Sequence, residues 1–367
     1  MKRLNMLMIG LDYHTFLLKG SDFYKRLKKY LKHFNISIII VSPYNSRMKN
    51  ISAPHLSVYF TNSFSKFFQL IDIIKIFLRI ARKIKFNLVT TQDPFVTGIA
   101  GLIIGKIFNI PSNIQVHSNI INNQFWLDET FINYFQNILA IFVLKNSDTI
   151  RVVSDLTKVQ LKKHFDIKNK FIKRIPVFAD IKVNQNTEIN EISTIDRKKF
   201  KIFSLGRLSK EKNFMNLVKS AQRIKQNHNN FIIFVGGDGS EKHKLESEIK
   251  KRGLQDNIIL LGYLNSERKN YYYRNCDVFV NVSNYEGFGL VCLEAMYHKK
   301  PIIMTKTVGK NEMVINEYNG FRVKINDPID LSDKIMFLMK NPDIIKKLGE
   351  NAYNFSKDHY KKDELLK

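Results

Sequence analysis

Short apolar runs alternate along the chain with segments whose apolar positions recur every three to four residues. Leu4 to Gly10 is a run of strand length ending at a glycine. The helical spacing Phe23, Leu27, Tyr30 and Leu31 follows, and then a second apolar run at Ile36 to Val41. Strand, loop, helix and strand in that order predict a βαβ unit. The alternation continues with strands at Asn87 to Thr91, Ile114 to His117 and Asp148 to Ser154. It restarts at Phe200 to Leu205, Phe231 to Val235, Ile258 to Leu261, Asp277 to Val282 and Pro301 to Thr305. Near-continuous apolar strands separated by helical patterns predict parallel sheets covered on both faces.

Between the two series, Ile181 to Lys199 turns to Asn, Glu, Thr, Lys and Asp, the composition of a linker. A chain of 367 residues is long enough for two domains, each with its own core. Phe67, Phe68, Ile71, Ile74 and Phe77 or Leu78 predict the apolar face of one helix, with Lys75, Arg79, Arg82, Lys83 and Lys85 outside. Residues 122–144 predict a helical segment holding the only tryptophan, Trp126, and Leu331 to Lys367 a helical end. The longest apolar stretches, Phe95 to Ile110 and Ile138 to Leu144, fall short of the ~18–20 residues that span a bilayer and predict buried helices.

The charge changes this picture most: 59 basic against 33 acidic residues leave +26, spread over both halves. Such a surplus suits an anionic partner, whether nucleic acid, lipid surface or phosphorylated substrate, and equally follows from a Lys-, Asn- and Ile-rich genome. The basic outer faces of the helices around 25–32 and 75–85 are either solvated or a patch for an anionic leaflet. Nucleic-acid binding would want aromatic and basic residues interleaved on one surface, and no such motif is present. Cys276 and Cys292 have no metal or redox spacing and predict reduced core residues. With no signal-peptide cleavage pattern after Leu11, a cytoplasmic location is expected.

Candidate chemistry gathers around residues 283–296. A buried strand is followed by Glu286, Gly287, Phe288 and Gly289, and from Leu290 the residues are helix formers. A strand, a glycine loop and a helix N-terminus offer backbone N–H groups to a phosphate. Glu294 lies one turn inside that helix and leans back toward its start. A carboxylate repels phosphate, so Glu286 and Glu294 suit hydroxyls, and a pyrophosphate between two polyhydroxyl groups satisfies both demands. Glu286 as a plain turn residue and Glu294 as a helix former are the simpler alternatives. Arg207 and Lys212 flank the turn after Phe200 to Leu205, where two cations would bind a diphosphate. Gly237 belongs to a turn that lets backbone approach a ligand. His117 ends a strand, where ligands gather in open α/β sheets. No G-x-G-x-x-G turn follows the first strand, which argues against a nicotinamide fold. No Asp-x-Asp run follows a strand, so no catalytic metal and no cofactor are expected.

Glu286, seven residues, Glu294, with Gly287-Phe288-Gly289 and Leu293-Glu294-Ala295, resembles the signature of retaining GT-B glycosyltransferases of family 4. Gly206-Arg207-Leu208, Glu211 and Lys212 resemble the same family's phosphate-contacting pattern. The resemblance implies an α/β GT-B fold, with two Rossmann-like domains facing across a cleft. It implies a donor of the nucleotide-diphosphate-sugar type, UDP or GDP. Glu286 would meet the donor sugar's hydroxyls, Glu294 the ribose, Arg207 and Lys212 the leaving phosphate, and His117 the sugar. Gly20 matches a glycine loop over the donor phosphates, although Gly20-Ser21 stands where two glycines are common. Tyr263 and Leu264 match a backbone site for the base, and Gly237, Gly287, Phe288, Gly289 and Leu290 are expected among the residues that bind the donor. Val177-Phe178 replaces an expected Asn-Gly pair after Pro176. The expected division is an N-terminal acceptor domain at 1–185, a linker at 186–199, a donor domain at 200–350, and a helix at 351–367 crossing back onto the first domain. The expected activity is transfer of a sugar to an acceptor hydroxyl, a glycan or lipid-linked acceptor in cell-surface polysaccharide or glycolipid assembly. Its setting is the cytoplasm or the inner face of the membrane. Sugar phosphorylase, nucleotide-sugar epimerase and nucleic-acid binding are the alternatives.

Overall fold

The computed structural model describes residues 3–11, 27–118, 120–164, 171–175, 199–307 and 313–360. The chain divides after Phe178 into two units. That boundary falls before the expected linker, of which 186–198 lie outside the described residues.

The first unit holds an eight-stranded sheet: β1 (Leu4–Gly10), β2 (Phe34–Ile40), β3 (Ile51–Ala53), β4 (Leu56–Phe60), β5 (Leu88–Thr91), β6 (Ser112–Val116), β7 (Thr149–Val152) and β8 (Phe171–Arg174). Their order is β3-β4-β2-β1-β5-β6-β7-β8, with only the short edge strand β3 antiparallel. Alternate β1 residues serve opposite faces, as strand geometry requires. Leu7 and Ile9 pack with Ile39, Ile73 and Phe77, while Met6 and Met8 pack with Ile36, Ile38 and Leu27. Residues 27–30 are helical, and further helices are α1 (Gln69–Ala81), α2 (Val96–Phe108), α3 (Gln124–Leu127), α4 (Phe131–Asn146) and α5 (Asp155–His164). Side-chain caps set the starts of α3 and α5: Asn123 accepts from Phe125 N–H at 3.0 Å, and the Ser154 hydroxyl accepts from Thr157 N–H at 3.2 Å.

The helices of this unit depart from the sequence expectation at three points. The buried face of α1 is Ile73, Phe77 and Ile80, so Phe67, Phe68 and Ile71 look outward. Those residues precede or open the helix, and the stripe that meets the sheet is rotated by a position or two. Residues 122–144 form two helices, because Thr130 lies in extended backbone between them. The stretch Ile138 to Leu144 is not a buried helix: Ile138, Leu139 and Phe142 on α4 are exposed.

The second unit is a six-stranded, wholly parallel sheet of β9 (Phe200–Leu205), β10 (Phe231–Gly236), β11 (Ile258–Gly262), β12 (Val278–Asn281), β13 (Ile302–Thr305) and β14 (Gly320–Val323). The order is β11-β10-β9-β12-β13-β14. Successive strands run outward from β9 on one side, and the chain then returns to lay β12 on its other side. The gap between the ends of β9 and β12 is therefore the topological switch point, where open parallel sheets take their ligands. Helices α6 (Phe214–Asn227), α7 (Lys242–Lys251), α8 (Ser266–Asn275), α9 (Leu290–Tyr297), α10 (Pro328–Lys340) and α11 (Pro342–His359) cover the two faces. Asp327 accepts from the N–H groups of Ile329 and Asp330 to start α10, with Pro328 at its first position. The expected single helical end is thus two helices, and α11 packs on α9, α10 and β14. Residues 361–367 of the expected crossing helix lie outside the described residues.

Candidate functional site

At the switch point the loops after β9 and β12 are tied together by three kinds of bond. The backbone N–H of Asn284 donates to the Glu211 carbonyl at 2.8 Å. The Asn213 amide donates to Asn284 Oδ1 at 2.8 Å. Lys212 Nζ donates to Glu286 Oε2 at 2.8 Å, with the two side chains only 21% and 16% exposed. Lys212 ends a 3-10 turn, Lys210–Lys212, closed by Asn213 in left-handed backbone at φ 48°. Asparagine tolerates that conformation better than most residues, so the cation's position is set by the local chain.

Glu286 is held from one side. Its Oε2 also faces the Asn281 amide and the Ser283 hydroxyl, each at 3.3 Å, while Oε1 accepts no hydrogen bond among the described residues. Asn281 closes β12, and Ser283 N–H donates back to its Oδ1 at 3.0 Å, which fixes the strand end. One carboxylate oxygen is thus pinned and the other stays available to a hydroxyl.

Glu294 lies within the first two turns of α9, which starts at Gly289 in left-handed backbone at φ 79°. Its oxygens accept from Lys269 Nζ at 3.2 Å and from the Tyr273 hydroxyl at 2.9 Å. Both donors come from α8, four residues apart and hence on one face. Tyr273 is fully buried. Burial first, and then the Glu294 charge, push its phenol well above the ordinary range, so it stays protonated and donates. A carboxylate has lone pairs to spare beyond two such bonds. Lys269, Tyr273 and Asn281 lie outside the candidate stretch 283–296, and Ser283 stands at its edge. The i, i+4 spacing of Lys269 and Tyr273 was the one available signal.

The remaining candidates divide. Arg207 is exposed beside Gly206 and makes no side-chain hydrogen bond among the described residues. Gly237, at φ 129°, approaches backbone as anticipated, but the backbone is that of Gly206: a Cβ there would lie 1.9 Å from the Gly206 carbonyl oxygen. The glycine therefore seats the Arg207 loop directly against the end of β10. Leu264 is buried, Tyr263 exposed, and Gly262 takes φ 67° and accepts from Gly237 N–H at 2.7 Å. Gly287, Phe288 and Leu290 are half-buried, and Phe288 meets Tyr360 edge-on at 5.4 Å. The leading N–H groups of α9, as at any helix start, have no carbonyl behind them. Cys276 and Cys292 are buried free thiols, both pushed up to about 12, chiefly by burial.

His117 lies in the first unit, exposed at the end of β6, beside a cavity of about 250 Å³ also lined by Thr90, Gln92, Gln115 and Arg151. Asp93, just ahead of α2, accepts from Phe95 N–H and from the Thr97 hydroxyl, both at 2.7 Å. Burial raises its carboxyl above the ordinary value. Gly20 and the loop 308–312 lie outside the described residues.

A family profile described as glycosyl transferases group 1 matches residues 185–355, and one described as glycosyltransferase family 4 matches 21–183. An uncharacterised glycosyltransferase of Methanocaldococcus jannaschii is 30% identical over 340 residues, 91% of this chain and 88% of that one. The chain belongs to the group 1 glycosyltransferases. Alpha-monoglucosyldiacylglycerol synthase of Acholeplasma laidlawii is 24% identical, covering 81% of this glycosyltransferase and 77% of that protein. Sucrose-phosphate synthase from Thermosynechococcus elongatus superposes with a TM-score of 0.84 at 18% identity, over 99% of this chain and 96% of that one. Anabaena HepE, solved with UDP and glucose, gives 0.76 at 16% identity, over 99% and 97%. Those likenesses carry the fold, and the fold of this glycosyltransferase is GT-B.

Proposed function

We propose that this glycosyltransferase is a retaining, hexosyl-type enzyme using a nucleotide-diphosphate sugar of the UDP or GDP type. Its acceptor is a hydroxyl on a glycan or lipid-linked carrier, in cell-surface polysaccharide or glycolipid assembly, met by peripheral contact at the inner face of the membrane. The observation that carries the reading is the Lys212–Glu286 pair, which couples the two switch-point loops. A cation and a carboxylate at one spot suit a ligand with phosphate on one side and hydroxyls on the other. Solved proteins of the same fold support the reading: Anabaena HepE was solved with UDP and glucose, and an S. aureus TarM mutant with Fondaparinux, alpha-GlcNAc-glycerol and UDP.

In this reading Glu286 Oε1 accepts from a sugar hydroxyl and Glu294 from the ribose. The donor's phosphates lie at the start of α9 near Gly287, Phe288, Gly289 and Leu290, with Tyr263 and Leu264 at the base. The bond from anomeric carbon to diphosphate oxygen breaks, and the oxygen keeps the electron pair. The acceptor oxygen bonds to that carbon from the same face, and its proton passes to the departing diphosphate. Arg207, Lys212 and the α9 N-terminus stabilise the charge that develops there, each such donor contributing a few kcal/mol. His117 is assigned to the sugar by the family likeness, as Gly20 is to the phosphates.

The test is a panel of UDP- and GDP-sugars with lipid-linked and soluble glycan acceptors, scored by nucleotide release and by the anomeric configuration of the product. Release that needs both donor and acceptor, with configuration retained, is expected. Interconversion of the donor sugar without release, or an inverted product, would overturn the proposal.

A further inference from the structure

Helix α4 is built inside out. The side it turns to its own unit carries Asn133, Asn137, Ala140, Val143 and Leu144. The side it turns outward carries Phe131, Ile132, Phe135, Ile138, Leu139 and Phe142, with Phe131 77%, Ile138 64% and Phe142 59% exposed. Surface helices put polar residues outside, and a helix apolar all round is normally buried. Over sixteen residues α4 has one charged side chain, Lys145.

Its rotation is fixed by the two asparagines. Asn133 Nδ2 donates to the Trp126 carbonyl at 2.6 Å. Asn137 Nδ2 donates to Asn122 Oδ1 at 2.6 Å, and its Oδ1 accepts from Asn122 N–H at 2.9 Å. Turning the phenylalanines inward would break all three bonds and expose both amides, so the outward setting is specified and not a packing accident.

The neighbouring helices extend the surface. α1 and α2 pack side by side and α2 packs on α4. The outward stripe of α1 runs Phe68, Ile71, Lys75, Leu78 and Arg79, and α2 ends in exposed Lys106, Ile107 and Phe108. Together the three helices carry four cations against one acidic side chain, Asp72. Bulky apolar residues interleaved with Lys and Arg match a layer that is greasy below and anionic above. A second copy is a poorer occupant, since a two-fold pairing would bring the same cations face to face. At sixteen residues α4 is too short to cross a bilayer, and no described helix is long and apolar enough to do so.

We infer that the outer face of α4, flanked by α1 and α2, lies in the plane of an anionic lipid surface with its phenylalanines and isoleucines among the acyl chains. This names the surface for the peripheral contact proposed above and centres it on α4, with α1 at its flank. It rests on that reading only for what the lipid would present as acceptor.

The full chain is sedimented with vesicles of phosphatidylcholine alone or with one-third phosphatidylglycerol, without donor. Ile138→Glu and Phe135→Glu with Phe142→Glu are compared with the native chain, with melting temperature measured alongside. Binding that prefers phosphatidylglycerol, and that each variant lowers at least about tenfold with unchanged melting, is expected. Native-like sedimentation of the variants, equal binding to both vesicles, or no binding would overturn the inference. A dimer that the variants dissociate, with no vesicle binding, would overturn it in favour of self-association. Slow donor hydrolysis, read as nucleotide release in the same variants, should be unchanged, so loss of lipid binding and failure of the transferase reading separate.

Discussion

Replacing Lys212 with alanine tests stability and chemistry at once. The ammonium and Glu286 Oε2 are 2.8 Å apart and mostly shielded. Two unit charges at about 4 Å in a medium of effective dielectric ~20 attract by roughly 4 kcal/mol before desolvation is subtracted. Hydrogen bonds to charged groups contribute about 1.5–3 kcal/mol net. At about 2–4 °C per kcal/mol for a unit of this size, Lys212→Ala should melt about 3–12 °C lower. If Lys212 also stabilises a departing diphosphate, turnover should fall about 10²–10³-fold. The double variant Lys212→Ala with Glu286→Gln removes the stranded carboxylate, so most of the lost stability should return. Turnover should not return with it. Melting followed by fluorimetry and nucleotide release under saturating donor measure the two quantities. Turnover of Lys212→Ala within about fivefold of native, or turnover recovering along with melting temperature, would show the pair to be structural only.

Gly237→Ala should lower stability by more than about 3 kcal/mol, or displace the Arg207 loop, because its Cβ would meet the Gly206 carbonyl at 1.9 Å. Gly253→Ala, with open space around φ 63°, should cost only about 1–2 kcal/mol in the same denaturation assay. Tyr273→Phe removes a buried donor to Glu294, and should cost about 1–3 kcal/mol and raise the donor KM while Lys269 still holds the other oxygen. His298 stacks on Tyr273, and burial, then Lys300 and Arg274, lower its imidazole from 6.5 to about 4. The unfolded chain therefore takes up a proton in that window before the folded one, so stability falls as pH drops from about 6.5 to about 4 and is unaffected above it. Urea midpoints of His298→Gln against pH should lack that slope. Because Arg207 and Lys212 are proposed to meet the diphosphate charge, chelation with EDTA should leave nucleotide release intact. A strict requirement for added Mg²⁺ would overturn that point.

Period and strand length made the sheets legible: Asp277 to Val282 predicted the strand that became β12, and Phe200 to Leu205 is β9 to the residue. The Glu286 loop was legible because glycines, a strand and a helix start follow one another within a few residues. Partners on other elements were not legible. Lys269 and Tyr273 stand in a helix so polar that it looks superficial, and only the tertiary packing of its tyrosines turns that face toward Glu294. The turn at Gly237 predicts a close backbone approach, yet nothing local says that the approaching backbone is Gly206. The short antiparallel strand β3 gave no periodic signal at three residues. Helix α4 misled because apolar residues occupy nearly its whole circumference, and the burial of Asn133 and Asn137 depends on Trp126 and Asn122.

The inverted face of α4 has a colloidal consequence. Copies that meet through bare phenylalanine and isoleucine would stick, and what keeps them apart is their shared surplus of +26 charges. Salt shrinks the reach of that repulsion to about 8 Å at 0.15 M. The protein should therefore disperse best in dilute buffer and clump as ionic strength rises, the reverse of the usual salting-in.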